Sequence, residues 1–136
     1  IRIPEELKKL YTVKLLIQPL AENSIYHGIK ESDRKGTILI TAGEETGGFY
    51  LCVRDDGLGI TPETLTILNA DLKRGVTVSD GGYGIFNVNE RIRLYFGRDY
   101  GLELRSCAGE WTEAVIHLPK YIPERTEWDV SDFDRR

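Results

Sequence analysis

Three groups of polar residues have the types and spacing for chemistry. In Gln18-Pro19-Leu20-Ala21-Glu22-Asn23-Ser24-Ile25-Tyr26-His27-Gly28, Asn23 and His27 stand about one helical turn apart. An amide oxygen is a neutral hard ligand of the kind Mg²⁺ accepts beside water and phosphate. Local backbone groups near a helix end can satisfy the same two side chains. The second group, Asp55-Asp56-Gly57-Leu58-Gly59-Ile60, offers a carboxylate followed by glycines that let a ligand approach the backbone. Such a carboxylate can accept from an exocyclic amine such as that of adenine, although the same residues also build an ordinary turn. The further acids and closing Glu of a calcium loop are missing. The third, Gly81-Gly82-Tyr83-Gly84-Ile85, leads into a helix, where free N–H groups and the helix dipole can cradle a phosphate. No strand precedes it as in a dinucleotide fingerprint, and no Gly-Lys-Ser/Thr follows as in a Walker A loop. A plain hinge before a helix remains the alternative.

These groups need elements to hold them. Ile3-Pro4-Glu5-Glu6-Leu7 reads as an extended segment turning into a short helix. Leu16 and Leu20 begin a helical stripe over about residues 13–27 that Asn23 and His27 continue, with Pro19 near its start or kinking it and Gly28 as its stop. Strands are expected over 37–42 and 48–54, joined by a turn at 44–47. Thr61 caps a short helix reaching about Asn69, with Pro62 in its first position. Residues 71–83 show no period and read as a mobile loop. A helix over 85–96 carries Ile85, Val88, Ile92 and Tyr95 on one face and stops at Gly97. Strands over 102–107 and 112–118 close the pattern through Ala108-Gly109-Glu110, and 120–136 reads as a tail. This order predicts an α+β sandwich, with helices on one face of a mostly antiparallel sheet.

The chain has 136 residues, 40% hydrophobic and 29% charged, enough for one domain and too few for two ordinary ones. A formal charge of −4 argues against a general nucleic-acid role, which needs a basic face, but leaves a small anionic ligand open. No apolar run approaches the roughly 20 residues of a membrane helix. Cys52 and Cys107 stand in apparent strands without close-spaced partners, so buried free thiols are expected rather than a disulfide framework or zinc site. Met is absent and the chain opens Ile1-Arg2-Ile3, which reads as a piece of something longer.

Taken together and in this order, the three groups resemble the N box, first glycine box and second glycine box of the GHKL (Bergerat-fold) ATP-binding superfamily. Within it, Q-P-L-A-E-N-S-I-Y-H-G and G-Y-G-I-F-N-V-N-E-R-I-R-L-Y-F-G are similar to the YesM/LytS-like sensor histidine kinases. That branch typically reads Q-P-L-x-E-N-A-x-x-H-G and G-x-G-L-x-N-V-x-x-R-L-x-x-x-Y-G. The resemblance runs from about Ile3 to Pro119. It implies a two-layer Bergerat sandwich with a mixed, mostly antiparallel sheet, residues 1–119 forming an ATP-binding catalytic domain. By the same resemblance Asn23 would ligate Mg²⁺, with Glu22 and His27 facing the triphosphate. Asp55 would read adenine, supported by Thr112. Gly57 and Gly59 form the first glycine box, and Gly82, Tyr83, Gly84 and Ile85 the second. Three positions depart from the pattern: Tyr26 replaces a common basic residue near the phosphates, Asp56 an Asn, and Trp111 a Gly. Lys73 or Arg74 would supply the missing cation.

The function so implied is donation of the γ-phosphoryl of Mg²⁺-ATP to a histidine on a separate dimerisation segment, with residues 71–83 as a lid. Neither His27 nor His117 fits the acceptor's role. A response regulator and a membrane would be met only through other parts of a bacterial sensor kinase, of which this is a cytoplasmic domain. The alternatives are an anti-sigma-type serine kinase of the same fold, or a nucleotide-sensing or docking module without phosphotransfer.

Overall fold

Alternation along the strands fixes which face of the sheet is covered. In the computed structural model, which describes residues 1–8, 11–76 and 84–120, strand β2 (Gly48–Asp55) buries Leu51, Val53 and Asp55 and leaves Tyr50, Cys52 and Arg54 half-open. Strand β1 (Ile38–Glu45) buries Ile40 and Ala42, β3 (Gly101–Cys107) buries Leu102 and Leu104, and β4 (Trp111–Pro119) buries Ala114, Ile116 and Leu118. The sheet order is β1-β2-β4-β3, with every neighbouring pair antiparallel. A single parallel bridge adds Arg2 to β1: its N–H donates to the Ile40 carbonyl at 2.7 Å, and the Ala42 N–H donates back at 3.1 Å.

The helices cover the buried face. They are α1 (Glu5–Lys8), α2 (Tyr11–Asn23), α3 (Pro62–Arg74) and α4 (Ile85–Phe96). Leu16 and Leu20 of α2, Leu68 and Leu72 of α3, and Ile85, Val88 and Ile92 of α4 meet the inward strand residues in one core. Each such side chain contributes roughly 1.5–3 kcal/mol by leaving water. Tyr95 was expected on the α4 apolar face, but it is half-exposed because Ile92 and Val88 already fill that stripe. Among the described residues no helix is long and apolar enough to cross a membrane.

Several boundaries differ from expectation. The helix carrying Asn23 does not stop at Gly28: α2 passes directly into a π-helical turn, Ser24–Ile29, in which the Lys30 N–H reaches the Ile25 carbonyl at 2.8 Å. Of the two placements expected for Pro19, near the helix start or within the helix, the structure has the second. Helix α3 runs past Asn69 to Arg74, because Leu72 extends the buried stripe of Leu68 and Gly75, at φ 72°, supplies the left-handed stop. Residues 71–74 of the expected loop are therefore helical; residues 77–83, and 121–136 of the expected tail, lie outside the described residues. Glu44 and Glu45 belong to β1, leaving Thr46-Gly47 as the turn. Cys52 is only half-buried and Cys107 is exposed, because both point to the uncovered face of the sheet.

Two amides seal the β3 edge. Asn69 Nδ2 donates to the Leu104 carbonyl and its Oδ1 accepts the Leu104 N–H, both at 2.9 Å. Asn89, fully buried on α4, donates to the Leu72 carbonyl and accepts the Leu102 N–H, also at 2.9 Å. Arg93, one turn along α4 from Asn89, donates to the Lys73 carbonyl at 2.7 Å.

Candidate functional site

The inward pattern of β2 ends on a carboxylate instead of an aliphatic group. Asp55 is 3% exposed, at the sheet's end, in register with Thr112 of β4. Its Oδ1 accepts the Gly57 N–H at 3.0 Å. Burial pushes this carboxyl above the usual aspartate range; the Gly57 bond and the Ser24 hydroxyl pull it down, and the Asp56 charge adds a smaller push upward. A carboxylate has about four lone-pair directions. Acceptor capacity therefore remains on the side where Asp55 lines a cavity of about 320 Å³.

Two glycines make that cavity possible. A Cβ on Gly28 would stand 2.5 Å from Asp55 Oδ1, so the π-helical turn presses bare backbone against the carboxylate. A Cβ on Gly57 would stand 2.3 Å from the Gly28 carbonyl carbon and oxygen. The loop after β2 thus packs backbone to backbone on the helix, and the Leu58 N–H donates to the Gly28 carbonyl at 3.3 Å. Gly59, at φ 69°, turns the chain toward the β3–β4 turn, where the Gly109 N–H donates to the Leu58 carbonyl at 2.6 Å.

Ile60, Leu68, Ile85 and Leu104 give the cavity apolar walls, while Asn23, His27 and Glu31 give it a polar mouth. An apolar slot with a few converging polar groups suits a planar base carrying a charged tail. Thr112 lines the slot beside Asp55. Its hydroxyl lies 3.2 Å from Ser106 Oγ, which accepts the Ile60 N–H at 2.7 Å and donates to the Trp111 carbonyl at 2.6 Å. Ser106 has one proton, so Thr112 donates in that pair and keeps its lone pairs for the cavity.

Asn23 stands at the other end of the site. Its Oδ1 is buried and has no hydrogen-bond partner among the described residues, an arrangement that normally costs about 1–3 kcal/mol. A buried, unpartnered amide oxygen on a residue that lines the cavity fits a Mg²⁺ ligand. Among the described residues no cluster of three or more His, Cys, Asp or Glu side chains could hold a metal. A single amide oxygen suits a cation that keeps water and phosphate as its other ligands.

Asn23, His27, Asp55, Gly59, Ile85 and Thr112 thus surround one cavity, and Gly57 shapes it from behind. Glu22 lies outside its lining, exposed on α2 with Gln18 donating to it at 3.0 Å. Lys73 and Arg74 also stand outside it, exposed in the last turn of α3, where Arg74 pairs with Asp71. Gly84 begins α4 next to Ile85; Gly82 and Tyr83 lie outside the described residues. The departures from the motif pattern leave the slot clear. Trp111 points to the uncovered face, with the Arg54 guanidinium 4.4 Å from its ring centroid. Asp56 turns outward to accept the Thr37 N–H at 2.7 Å. Tyr26 is exposed under the Lys30 ammonium, 5.0 Å from its ring centroid. Gly28 and Ser106 were not foreseen as site residues. Only Gly28 carried a sequence signal, a glycine where the helix meets the carboxylate.

The profile of the histidine kinase-, DNA gyrase B- and HSP90-like ATPases matches residues 11–122, spanning this whole site. The chain belongs to that ATPase family. The ATPase domain is 35% identical over 117 residues to the sensor histidine kinase YesM of Bacillus subtilis, covering 86% of this chain and 18% of that protein. It is 35% identical over 105 residues to the sensor histidine kinase YpdA of Escherichia coli, covering 77% and 17%. The sensor protein LytS of Bacillus anthracis is 29% identical over 126 residues, covering 92% and 21%. The chain thus spans about a fifth of the length of these relatives. The fold is shared with the histidine kinase domain of the Erythrobacter litoralis EL346 blue-light activated histidine kinase. That match has a TM-score of 0.54 at 18% identity and covers 79% of this chain and 43% of that one.

Proposed function

We propose that this ATPase domain binds Mg²⁺-ATP in the Asp55 cavity and donates its γ-phosphoryl group to a histidine on a separate dimerisation segment of a sensor kinase. The observation that carries this reading is one cavity lined both by a buried carboxylate acceptor and by Asn23, whose buried amide oxygen has no partner among the described residues. The sensor kinases among its relatives support histidine as the acceptor over the serine of an anti-sigma-type kinase.

Phosphoryl transfer depends on positioning and charge stabilisation. Asp55 accepts from the adenine amine, Thr112 offers a second acceptor, and Ile60, Leu68, Ile85 and Leu104 exclude water from the base. This fixes the triphosphate toward Asn23 and His27. Bound Mg²⁺ would be held by Asn23 Oδ1 together with phosphate and water oxygens, and it supplies neutralisation of the charge that builds on the phosphates. Gly84 at the start of α4 offers bare backbone to the phosphates, at a helix N-terminus whose dipole favours anions. The bond from the γ-phosphorus to its bridging oxygen breaks, a bond to the acceptor imidazole nitrogen forms, and ADP leaves. Partners of the whole kinase, including a response regulator and a membrane, would be met through its other segments.

The test is a titration with Mg²⁺-ATP followed by addition of the parent kinase's dimerisation segment and γ-labelled ATP. Saturable binding and label on the segment's histidine are expected. Binding without transfer would leave a nucleotide-sensing module, and no binding would remove the proposal altogether.

A further inference from the structure

A polyanionic tail leaving the cavity calls for a fixed cation, and the cavity wall supplies none. Its lining includes Glu31 and Asp55 but no Lys or Arg among the described residues. Lys73 and Arg74 stand outside it, and residues 75–84, which join α3 to α4, contain no Lys or Arg. The π-helical turn offers one. Tyr26 follows Asn23 by three residues and Lys30 follows Tyr26 by four, so the three form one stripe along the helix surface. The Lys30 N–H donates to the Ile25 carbonyl, five residues back, at 2.8 Å and closes the turn. A long side chain at that position leans toward the helix N-terminus, over the preceding turn. Its ammonium accordingly sits over the Tyr26 ring, 5.0 Å from the centroid, and makes no ion pair among the described residues. The residues that follow Tyr26 and Lys30 in sequence, His27 and Glu31, both line the cavity.

We propose that Lys30, carried on the Tyr26 ring, is the fixed cation that meets a nucleotide's outer phosphates at the cavity mouth, so that the pair favours nucleoside triphosphates over monophosphates. The inference rests on the reading of the cavity as a nucleotide site. Tyr26 is 59% exposed and adds little to the core. What it offers is a ring face, which attracts an ammonium electrostatically while leaving its N–H groups free to donate. Glu31 is the residue next to Lys30, yet the ammonium lies on the ring and not on that carboxylate. The ring therefore holds the charge toward the Asn23 end of the stripe. Lys30 binds, and Tyr26 is its positioning residue.

The experiment titrates ATP and AMP, each with Mg²⁺, into the unmodified chain and into Lys30→Gln, Lys30→Arg, Tyr26→Leu, Tyr26→Phe and the double variant Tyr26→Leu/Lys30→Gln. Binding is read by competition so that weak affinities are measured, with thermal melts alongside. Both residues are exposed, so the melting temperature should hold throughout. Lys30→Gln should weaken ATP about fivefold, the worth of one exposed charge pair, and leave AMP within about twofold. Lys30→Arg should restore the preference, and the loss should vanish at about 1 M salt, where exposed charges are screened. Tyr26→Leu should lose part of the same preference and Tyr26→Phe none. The double variant should lose no more than Lys30→Gln alone, because the ring acts through the ammonium. An unchanged ATP-to-AMP preference in Lys30→Gln overturns the inference, as does an equal loss of both nucleotides. Additive losses in the double variant, or a loss in Tyr26→Phe that assigns the contact to the hydroxyl, overturn the role of the ring. An unmodified chain that binds neither nucleotide removes the underlying reading of the cavity, and this inference with it.

Discussion

Replacing Asp55 by Asn separates binding from folding. The amide has nearly the same shape, but it carries one acceptor oxygen where the carboxylate has two. In the native site Oδ1 takes the Gly57 N–H while the carboxylate also lines the cavity. If the Asn oxygen keeps Gly57, its NH₂ faces the adenine amine, donor against donor. If the amide flips, the cavity regains an acceptor but the NH₂ opposes the Gly57 N–H. Either way one charge-assisted bond is lost and a donor is left without a partner. The cost is about 1.5–3 kcal/mol, and roughly 10- to 150-fold in ADP affinity. Stability should move the other way. Burial raises the native carboxyl pKa above its unfolded value, so the native state holds a proton more tightly and loses stability as pH rises from the unfolded pKa through the native one. Above that window the charge disfavours folding, and Asn removes it. The assay is calorimetry with ADP beside a thermal melt at pH 7: affinity falls and the melting temperature holds or rises. Unchanged ADP affinity in a folded variant would refute the reasoning.

Asn23→Ala should abolish the Mg²⁺-dependent part of ATP binding and spare metal-free ADP, measured by paired titrations; equal losses with and without Mg²⁺ would remove the metal role. Gly28→Ala places a methyl 2.5 Å from Asp55 Oδ1, so it should displace the carboxylate and lower nucleotide affinity with only a modest change in melting. Gly57→Ala instead drives a methyl into the Gly28 backbone at 2.3 Å, and a denaturant titration should show a loss of about 1–3 kcal/mol. Asn89→Ala leaves the Leu72 carbonyl and Leu102 N–H unpaired in the interior, costing about 2–5 kcal/mol by the same measurement.

What the sequence revealed followed residue chemistry. Asp55, Gly57 and Gly59 alone could equally build a turn, and they became informative through their order with the other two groups. Asn23 follows Leu16 and Leu20, which set the phase of its helix, onto the side that lines the cavity. The π-helical turn escaped, since Ser24 to Ile29 reads as one more turn of ordinary helix and only the contact with Asp55, 27 or more residues away, exposes the difference. The end of α3 was legible in principle: Leu65, Leu68 and Leu72 keep helical spacing and Gly75 follows. The composition of 71–74 masked that signal. Ser106, Asn69 and Asn89 could not be read locally, because each bonds backbone brought to it by the fold.

Asn89 ties the end of α3 to β3 through a single amide, and Arg93 adds a second tie to the same helix end. The end of α3 is therefore held at once by the edge of the sheet and by the neighbouring helix. Because the same helix carries Leu68 into the cavity wall, a substitution at Asn89 or Arg93 reaches the cavity without touching any residue that lines it.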